Sequence, residues 1–219
     1  RERVELSIEA YDKLAGLALN LGLDFIVSVW DLMALEEVLT LGHQLTALKI
    51  PSAMLTNYKL VEYVASNERP IILSTGMSTM TEIDQAVGAI ASISSIYKMD
   101  REMILMHCTS TYPCKPEELN LSMIPILASR YPSFAVGYSG HEVGLATTVA
   151  AVALGAKVVE RHITLDRSMW GTDQSASVEP VGFVKLVKDI RLVEQAMGNG
   201  VKQVYESEKE ALKKLRGIG

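Results

Sequence analysis

One pattern restricts this chain more than any other. Short, continuously apolar, β-rich runs return after roughly 20 to 35 residues, with helically spaced segments between them. The apolar runs cover 24–29, 46–50, 70–73, 103–107, 134–137 and 157–162. Runs without polar alternation are what strands buried on both faces of a parallel sheet require. The intervening spacing predicts helices over 8–21, 32–41, 60–66, 80–96, 117–130, 144–154 and 180–197. A parallel neighbour can be reached only through a crossover, so repeated βα units specify an α/β protein.

Several helix ends are written in the sequence. Ser7 stands as an N-cap with Glu9 and Asp12 in the first turn, and Gly22 ends that helix. Thr79 or Ser78 caps a later helix with Glu82 in its first turn, and Gly155 stops another just before a strand. A doubly wound sheet and a (β/α)8 barrel both accommodate six such units. No Gly-x-Gly-x-x-Gly follows the first strand and no Walker A lysine motif occurs, which counts against the nucleotide-binding version. A barrel needs eight strands. The reading is therefore a TIM-type (β/α)8 barrel that is incomplete, with its first two strands absent from this chain. Residues 1–200 form the partial barrel, and 201–219 form a charged helix or linker, acidic first and basic later.

The formal charge of −5 provides no general attraction for nucleic acid or an acidic membrane, so an anionic ligand would need a local pocket. Two cysteines, Cys108 and Cys114, cannot build a disulfide framework, and no apolar run is long enough to span a membrane. The expectation is a cytoplasmic protein, with Cys108 a packed thiol and Cys114 a loop thiol.

Ligands of parallel α/β folds bind at the carboxyl ends of the strands. In chain order those ends carry Asp31; Lys49 and Ser52; Ser74-Thr75-Gly76; His107 with Thr109 and Ser110; Ser139 and His141; Glu160 and His162. His141 and His162 end adjacent strands and could ligate one divalent metal; equally, each could be a satisfied, partly buried histidine. His107 is a weaker third ligand candidate, and His43 reads as a surface residue. Lys49 closes an apolar strand and needs either an anionic ligand or an ion pair with Asp31 or Glu160. The hydroxyls and helix-start amides of residues 74–78 could cradle phosphate. Glu160 and His162 lie two apart and face inward together, whereas Arg161 faces outward and pairs in the sheet–helix layer. Asp173 sits in the loop 169–180, after the last strand.

The blocks Gly137-Tyr-Ser-Gly-His-Glu-Val-Gly and Ala150-Ala-Val-Ala-Leu-Gly-Ala-Lys-Val-Val-Glu-Arg-His-Ile-Thr-Leu-Asp resemble the signature of sialic acid synthases. Gly171-Thr-Asp-Gln-Ser-Ala-Ser-Val-Glu-Pro, Lys49-Ile-Pro-Ser, Leu73-Ser-Thr-Gly-Met and His107-Cys-Thr-Ser-Thr-Tyr-Pro fit the same family. The resemblance runs over almost the whole chain. It implies a (β/α)8 barrel followed by an antifreeze-like domain, in an enzyme that condenses phosphoenolpyruvate with an N-acetylated hexosamine such as N-acetylmannosamine. The products are a nonulosonic acid and phosphate.

By the same resemblance, His141 and His162 match the ligands of manganese or magnesium. Lys49, Ser52, Ser74, Ser110 and Ser139 match phosphoenolpyruvate positions, and Tyr112 and Asp173 match sugar-side positions. Glu160 and Asp173 are the expected catalytic carboxylates. The family metal acts as a Lewis acid on the aldehyde oxygen of the open-chain sugar. A homodimer is implied for the full-length form. This chain departs from the pattern at Ala53-Met54, where several members have Gly-Glu, and in lacking the first two strands and the C-terminal domain. Six strands in an unclosed sheet leave two open edges, which predicts self-association or poor stability unless the missing segment is supplied. Related alternatives are a synthase of another nonulosonic acid or of a spore-coat sugar, and a non-catalytic binding subunit.

Overall fold

The computed structural model describes residues 6–97 and 102–217, so the outermost residues of the two predicted segments lie outside the described part. Six strands form where the apolar runs predict them: β1 (Phe25–Ser28), β2 (Leu45–Ile50), β3 (Ile71–Ser74), β4 (Met103–His107), β5 (Ala135–Gly140) and β6 (Val158–Arg161). Every neighbouring pair is parallel, and the order across the sheet is β1-β2-β3-β4-β5-β6. That order decides between the two architectures left open above. A doubly wound sheet reverses its direction of growth partway, whereas a barrel wall adds each strand beside the last. The six strands make a half-barrel.

The helices are α1 (Ile8–Asn20), α2 (Leu32–Leu39), α3 (Tyr58–Ala65), α4 (Met80–Tyr97), α5 (Met123–Arg130), α6 (Ala146–Ala153), α7 (Pro180–Met197) and α8 (Lys209–Arg216). The main core joins Leu48, Ile50, Leu73, Leu105 and Val136 of the strands to Leu35, Leu60, Val64, Ile90 and Leu127 of the helices. Each fully buried leucine or isoleucine there contributes roughly 1.5–3 kcal/mol of apolar transfer. A second, smaller cluster of Ala47, Ile72 and Met106 occupies the opposite, concave face, with Ile104 and Val158 packed against it.

Local chemistry explains the boundaries. Asp31 caps α2 by accepting from the Ala34 amide at 2.8 Å, and Asn57 caps α3 through Leu60 at 3.3 Å. Thr79 and Glu82 form a reciprocal box at the start of α4: the Thr79 amide donates to the Glu82 carboxylate at 2.7 Å and the Glu82 amide to Thr79 Oγ1 at 3.3 Å. Gly22 and Gly155 adopt φ of +69° and +107°, as helix stops require. Ser7 occupies the N-cap of α1, but its hydroxyl makes no capping bond.

Two boundaries differ from the periodicity by more than two residues. The helix expected over 117–130 is a 3-10 turn, Pro116–Glu118, then Asn120 at φ +44°, and only then α5. Pro125 cannot donate to a preceding carbonyl, so it is tolerated in the first turn of α5 but not inside a longer helix. Strand β5 runs three residues further than predicted, through Gly140. A Cβ on Gly140 would lie 2.6 Å from the Glu142 carboxylate and 2.8 Å from the Tyr138 ring, so only glycine continues the strand there. The charged tail does form a helix, α8, and no helix among the described residues is long and apolar enough to cross a membrane.

Candidate active site

Alternation along each strand sends the leucines and isoleucines of the main core outward and a second set of residues inward. Near the middle of the sheet the inward set is apolar, the Ala47–Ile72–Met106 cluster. One step toward the carboxyl ends it becomes polar: Ser28, Lys49, Ser74, Ser139 and Glu160 line a cleft of about 460 Å³. The loops beyond the strands add Ser52, Ser110, Tyr112, His141, His162 and Asp173 to the same cleft. Lys49, Ser52, Ser74, Ser110, Tyr112, Ser139, His141, Glu160, His162 and Asp173, the residues that the family resemblance singles out, are thus brought together in one place.

Lys49 and Glu160 form an ion pair whose side chains are 16% and 33% exposed, and Ser139 Oγ donates to the same Glu160 oxygen at 2.9 Å. Asp31, the other partner considered for Lys49, is committed to capping α2. Beside this group the Ser74 hydroxyl is buried with no hydrogen-bond partner. A buried, unmatched hydroxyl costs roughly 1–3 kcal/mol until something bonds to it.

Ser52 Oγ accepts from the Gly76 amide at 3.1 Å and lies 3.2 Å from Cys108 Sγ. A Cβ at Gly76 would stand 2.9 Å from Ser52 Oγ and 3.0 Å from Cys108 Sγ, and would collide with Ser110 Oγ. Glycine is therefore what allows the β3–α4 loop to close on the cleft wall. Part of the phosphate cradle expected over residues 74–78 is already committed. The Gly76 amide serves Ser52, the Thr79 amide serves Glu82, and Thr75 Oγ1 donates to the Met106 carbonyl at 3.0 Å. The Ser74 hydroxyl is left without a partner beside them.

The His141 and His162 rings meet edge-on with centroids 5.5 Å apart. Tyr112 packs against both, at 4.3 Å from His141 and 5.4 Å from His162. His141 Nδ1 lies 2.8 Å from the Thr109 carbonyl, which can only accept, so Nδ1 carries the proton and Nε2 presents its lone pair. Tyr112 Oη and Ser139 Oγ lie 3.3 and 3.4 Å from that Nε2. Burial first, and then the nearby His162 and Lys49, hold the His141 pKa below the usual imidazole value despite the Thr109 carbonyl and Glu160. Burial, followed by Cys108, Asp173 and Glu160, holds the Tyr112 phenol above its ordinary value, keeping it a neutral donor. His162 Nδ1 faces Asp173 Oδ2 at 4.0 Å.

A neutral imidazole oriented by a backbone carbonyl is a ready metal ligand, and the carbonyl is the outer partner such ligands use. Among the described residues no three His, Cys, Asp or Glu side chains converge to hold a cation by themselves. The donor set fits a divalent ion held by His141 and His162, with its other positions left to water and substrate oxygens.

Other candidates lie elsewhere. His107 faces the helix layer, its Nε2 bonded to the Leu119 carbonyl at 2.8 Å, and burial lowers its pKa. It alternates with Met106, which points inward, so it cannot join the other histidines. Thr109 Oγ1 is likewise turned away, to the Glu118 carbonyl. His43 is exposed, as expected. Cys114 is buried rather than a free loop thiol, because its amide donates to the His141 carbonyl at 2.9 Å and draws the loop inward. Arg161 does face outward, with its side chain 1% exposed against Glu142. Burial raises the Glu142 pKa, but the Thr148 hydroxyl and the Arg161 charge more than offset this and leave it below the ordinary carboxylate value.

Sequence reasoning missed Ser28 and Trp30 of the cleft wall, although the spacing Ile26, Ser28, Trp30 on one strand face carried the signal. Met77 was missed too; its φ of +59° has no sequence signature.

A family model described as the NeuB family matches residues 1–202. Mouse N-acetylneuraminate-9-phosphate synthase is 38% identical over 217 residues, covering 98% of this chain and 58% of the mouse protein. The N,N'-diacetyllegionaminic acid synthase of Campylobacter jejuni is 35% identical over 98% of this chain and 63% of its own length. Among solved structures, the N-acetylneuraminic acid synthetase of Leptospira borgpetersenii in complex with citrate superposes with a TM-score of 0.86 at 30% identity. That superposition covers 98% of this chain and 72% of the Leptospira chain. The chain therefore spans 58% of the length of a curated relative such as the mouse synthase. Matched over nearly all of its length by the family model, this chain belongs to the NeuB family.

Proposed function

We propose that the cleft binds phosphoenolpyruvate and an N-acetylated hexosamine of the N-acetylmannosamine type and joins them into a nonulosonic (sialic) acid, releasing phosphate. The observation that carries this reading is the buried, partnerless Ser74 hydroxyl beside Lys49, Glu160 and Ser139. That hydroxyl is short of a hydrogen-bond partner, which a ligand oxygen beside Lys49 would supply. Phosphoenolpyruvate supplies two anionic ends, and Lys49 and the hydroxyls of Ser52, Ser74, Ser110 and Ser139 hold them. The names of the relatives support the same chemistry class.

In the overall reaction the enol carbon bonds to the sugar aldehyde carbon, water adds at the adjacent carbon, and phosphate leaves. Manganese or magnesium held by His141 and His162 would supply Lewis acidity toward the aldehyde oxygen. Asp173 orients His162, and Tyr112 donates a hydrogen bond on the sugar side. Glu160, relieved of Lys49 when the ligand's anion takes that charge, becomes available as a proton acceptor. Holding both reactants in one cleft provides the proximity that the carbon–carbon bond requires.

The complete enzyme in this proposal is a cytoplasmic homodimer in which two further strands close the barrel and a C-terminal domain follows α8. The pair Ala53-Met54 favours one variation: where several members of the family have Gly-Glu, with the glutamate contacting the sugar, this chain has a methionine. A legionaminic-type or spore-coat sugar acceptor is therefore the second reading, and product analysis across a panel of N-acetylated hexosamines separates the two. The test of the main reading is calorimetry of phosphoenolpyruvate binding with and without Mn2+, on this chain and on His141→Ala. Metal-dependent binding lost in the variant is the expected result. No binding under any condition overturns the half-site as assigned.

A further inference from the structure

Directly behind the cleft lies a buried polar cluster with no part in the chemistry above. Arg161 and Glu142 are the chain neighbours of His162 and His141, and their side chains are only 1% and 2% exposed. We infer that Arg161, with Glu142, is a positioning residue: one guanidinium locks together the three segments that deliver His141, His162 and Asp173 to the cleft. The inference rests on the two-histidine reading of the site.

Each segment has a measured link. Toward the end of β5, Arg161 Nη2 donates to the Glu142 carbonyl at 2.7 Å and Nη1 to the Gly144 carbonyl at 2.9 Å. Toward α6, Nη1 donates to Thr148 Oγ1 at 2.7 Å. Toward the loop that carries Asp173, Nη2 donates to the Ala176 carbonyl at 3.2 Å. The Glu142 carboxylate closes the cluster, accepting from Tyr138 Oη at 2.9 Å, Thr147 Oγ1 at 2.9 Å, Thr148 Oγ1 at 2.6 Å and Arg161 at 3.3 Å. The backbone at both histidines is pinned as well. The Cys114 amide holds the His141 carbonyl at 2.9 Å, and the Val178 amide holds the His162 carbonyl at 2.7 Å.

The geometry calls for arginine in particular. Its planar fork serves acceptors on three segments at once, whereas a lysine ammonium is a single point that cannot span them. Removing the fork leaves buried carbonyls unmatched, so the loop 163–179 relaxes first. With it go the approach of Asp173 to His162 and the His141–His162 spacing.

The test compares Arg161→Lys with Val64→Ala, a cavity variant in the core on α3, far from this cluster. Mn2+ affinity, read by electron paramagnetic resonance of free Mn2+, should fall about tenfold or more in Arg161→Lys, as for other outer partners of metal ligands. In Val64→Ala it should stay within about twofold of wild type even where the melting temperature falls further, because distant sites act independently. Unchanged Mn2+ affinity in a folded Arg161→Lys overturns the proposal and leaves the cluster merely structural.

Amide hydrogen exchange reads the same point without metal. Thr164 and Val178, paired across the neck of the loop, should exchange about tenfold faster in Arg161→Lys than in Val64→Ala. Should the wild type bind no Mn2+, the metal reading fails, and exchange alone decides: faster exchange at the neck sustains the positioning role, and equal exchange removes it. If Arg161→Lys does not fold, Thr148→Val takes its place in both measurements with the same directions.

Discussion

Lys49 of β2 and Glu160 of β6 are joined in an ion pair although β3, β4 and β5 lie between their strands. In a flat sheet, three intervening strands at about 4.8 Å each would hold these side chains far apart. Their contact is the direct measure of the curvature that turns six strands into one side of a barrel, and it places a compensated charge at the centre of the cleft.

Replacing either partner separates their roles. Lys49→Met should weaken phosphoenolpyruvate binding by at least ~30-fold, since truncating one member of a buried charged pair costs about 2 kcal/mol or more. Glu160→Gln should leave that binding intact or tighter, because Lys49 no longer has a competing carboxylate, while turnover falls by about 100-fold. Calorimetry and phosphate-release kinetics on the two variants check both halves. Loss of binding in Glu160→Gln would contradict the assignment.

Removing divalent cations with a chelator should abolish sugar-dependent phosphate release, and Mn2+ should restore it. In His162→Ala the same Mn2+ concentration should restore about a hundredth of the rate or less, a loss on the scale of removing a metal ligand or its partner. A coupled phosphate assay on the complete enzyme reads the result.

Gly76→Ala should damage the cleft more than the fold. The added Cβ meets Ser52, Cys108 and Ser110, so their side chains must move at a cost of about 1–3 kcal/mol. The expected outcome is a modest drop in melting temperature with phosphoenolpyruvate affinity reduced by about tenfold or more. Calorimetric binding at native affinity would show that these side chains yield freely.

A pH dependence is written into the surface pair Asp84–Arg130. The Arg130 guanidinium, and then the Tyr131 hydroxyl, hold the Asp84 carboxyl down to a pKa of about 2 from an ordinary value of 3.8. A carboxyl depressed in the folded state binds fewer protons there than in the unfolded chain, so its stabilisation is present above the unfolded value and lost as the pH falls through the folded one. The gap in melting temperature between wild type and Asp84→Asn should therefore be full above pH 3.8 and shrink toward pH about 2. Thermal unfolding across that range checks it, and a gap that widens on acidification would reverse the sign.

Among the described residues, strands β1 and β6 each have one strand neighbour, so both present unpaired backbone groups along an edge. This chain should self-associate with rising concentration, as static light scattering would register. A monodisperse monomer at all concentrations would mean that the edges are shielded.

The polar strand ends were legible because a strand of period two announces which residues share a face. Lys49, Ser74, Ser139 and Glu160 each end an otherwise apolar run, and all line the cleft. The same rule, applied strictly to β4, would have removed His107 from the metal candidates, since it alternates with the inward Met106. Met77 and the division of the Ser74–Ser78 amides could not be read at all. They depend on which loop reaches Ser52, a contact between separate segments.

Local periodicity and contiguous motifs were enough to specify the six strands, the parallel βα repeat, the inward and outward faces, and the family. The folded chain was needed to show that Lys49 pairs with Glu160 rather than Asp31, that His141 presents Nε2 rather than Nδ1, and that Glu142 is the partner of Arg161. Each of those outcomes is a choice among side chains of similar chemistry on separate segments. The chain sequence ranks such partners equally; the curvature of the sheet and the competition of helix caps for the same groups break the tie.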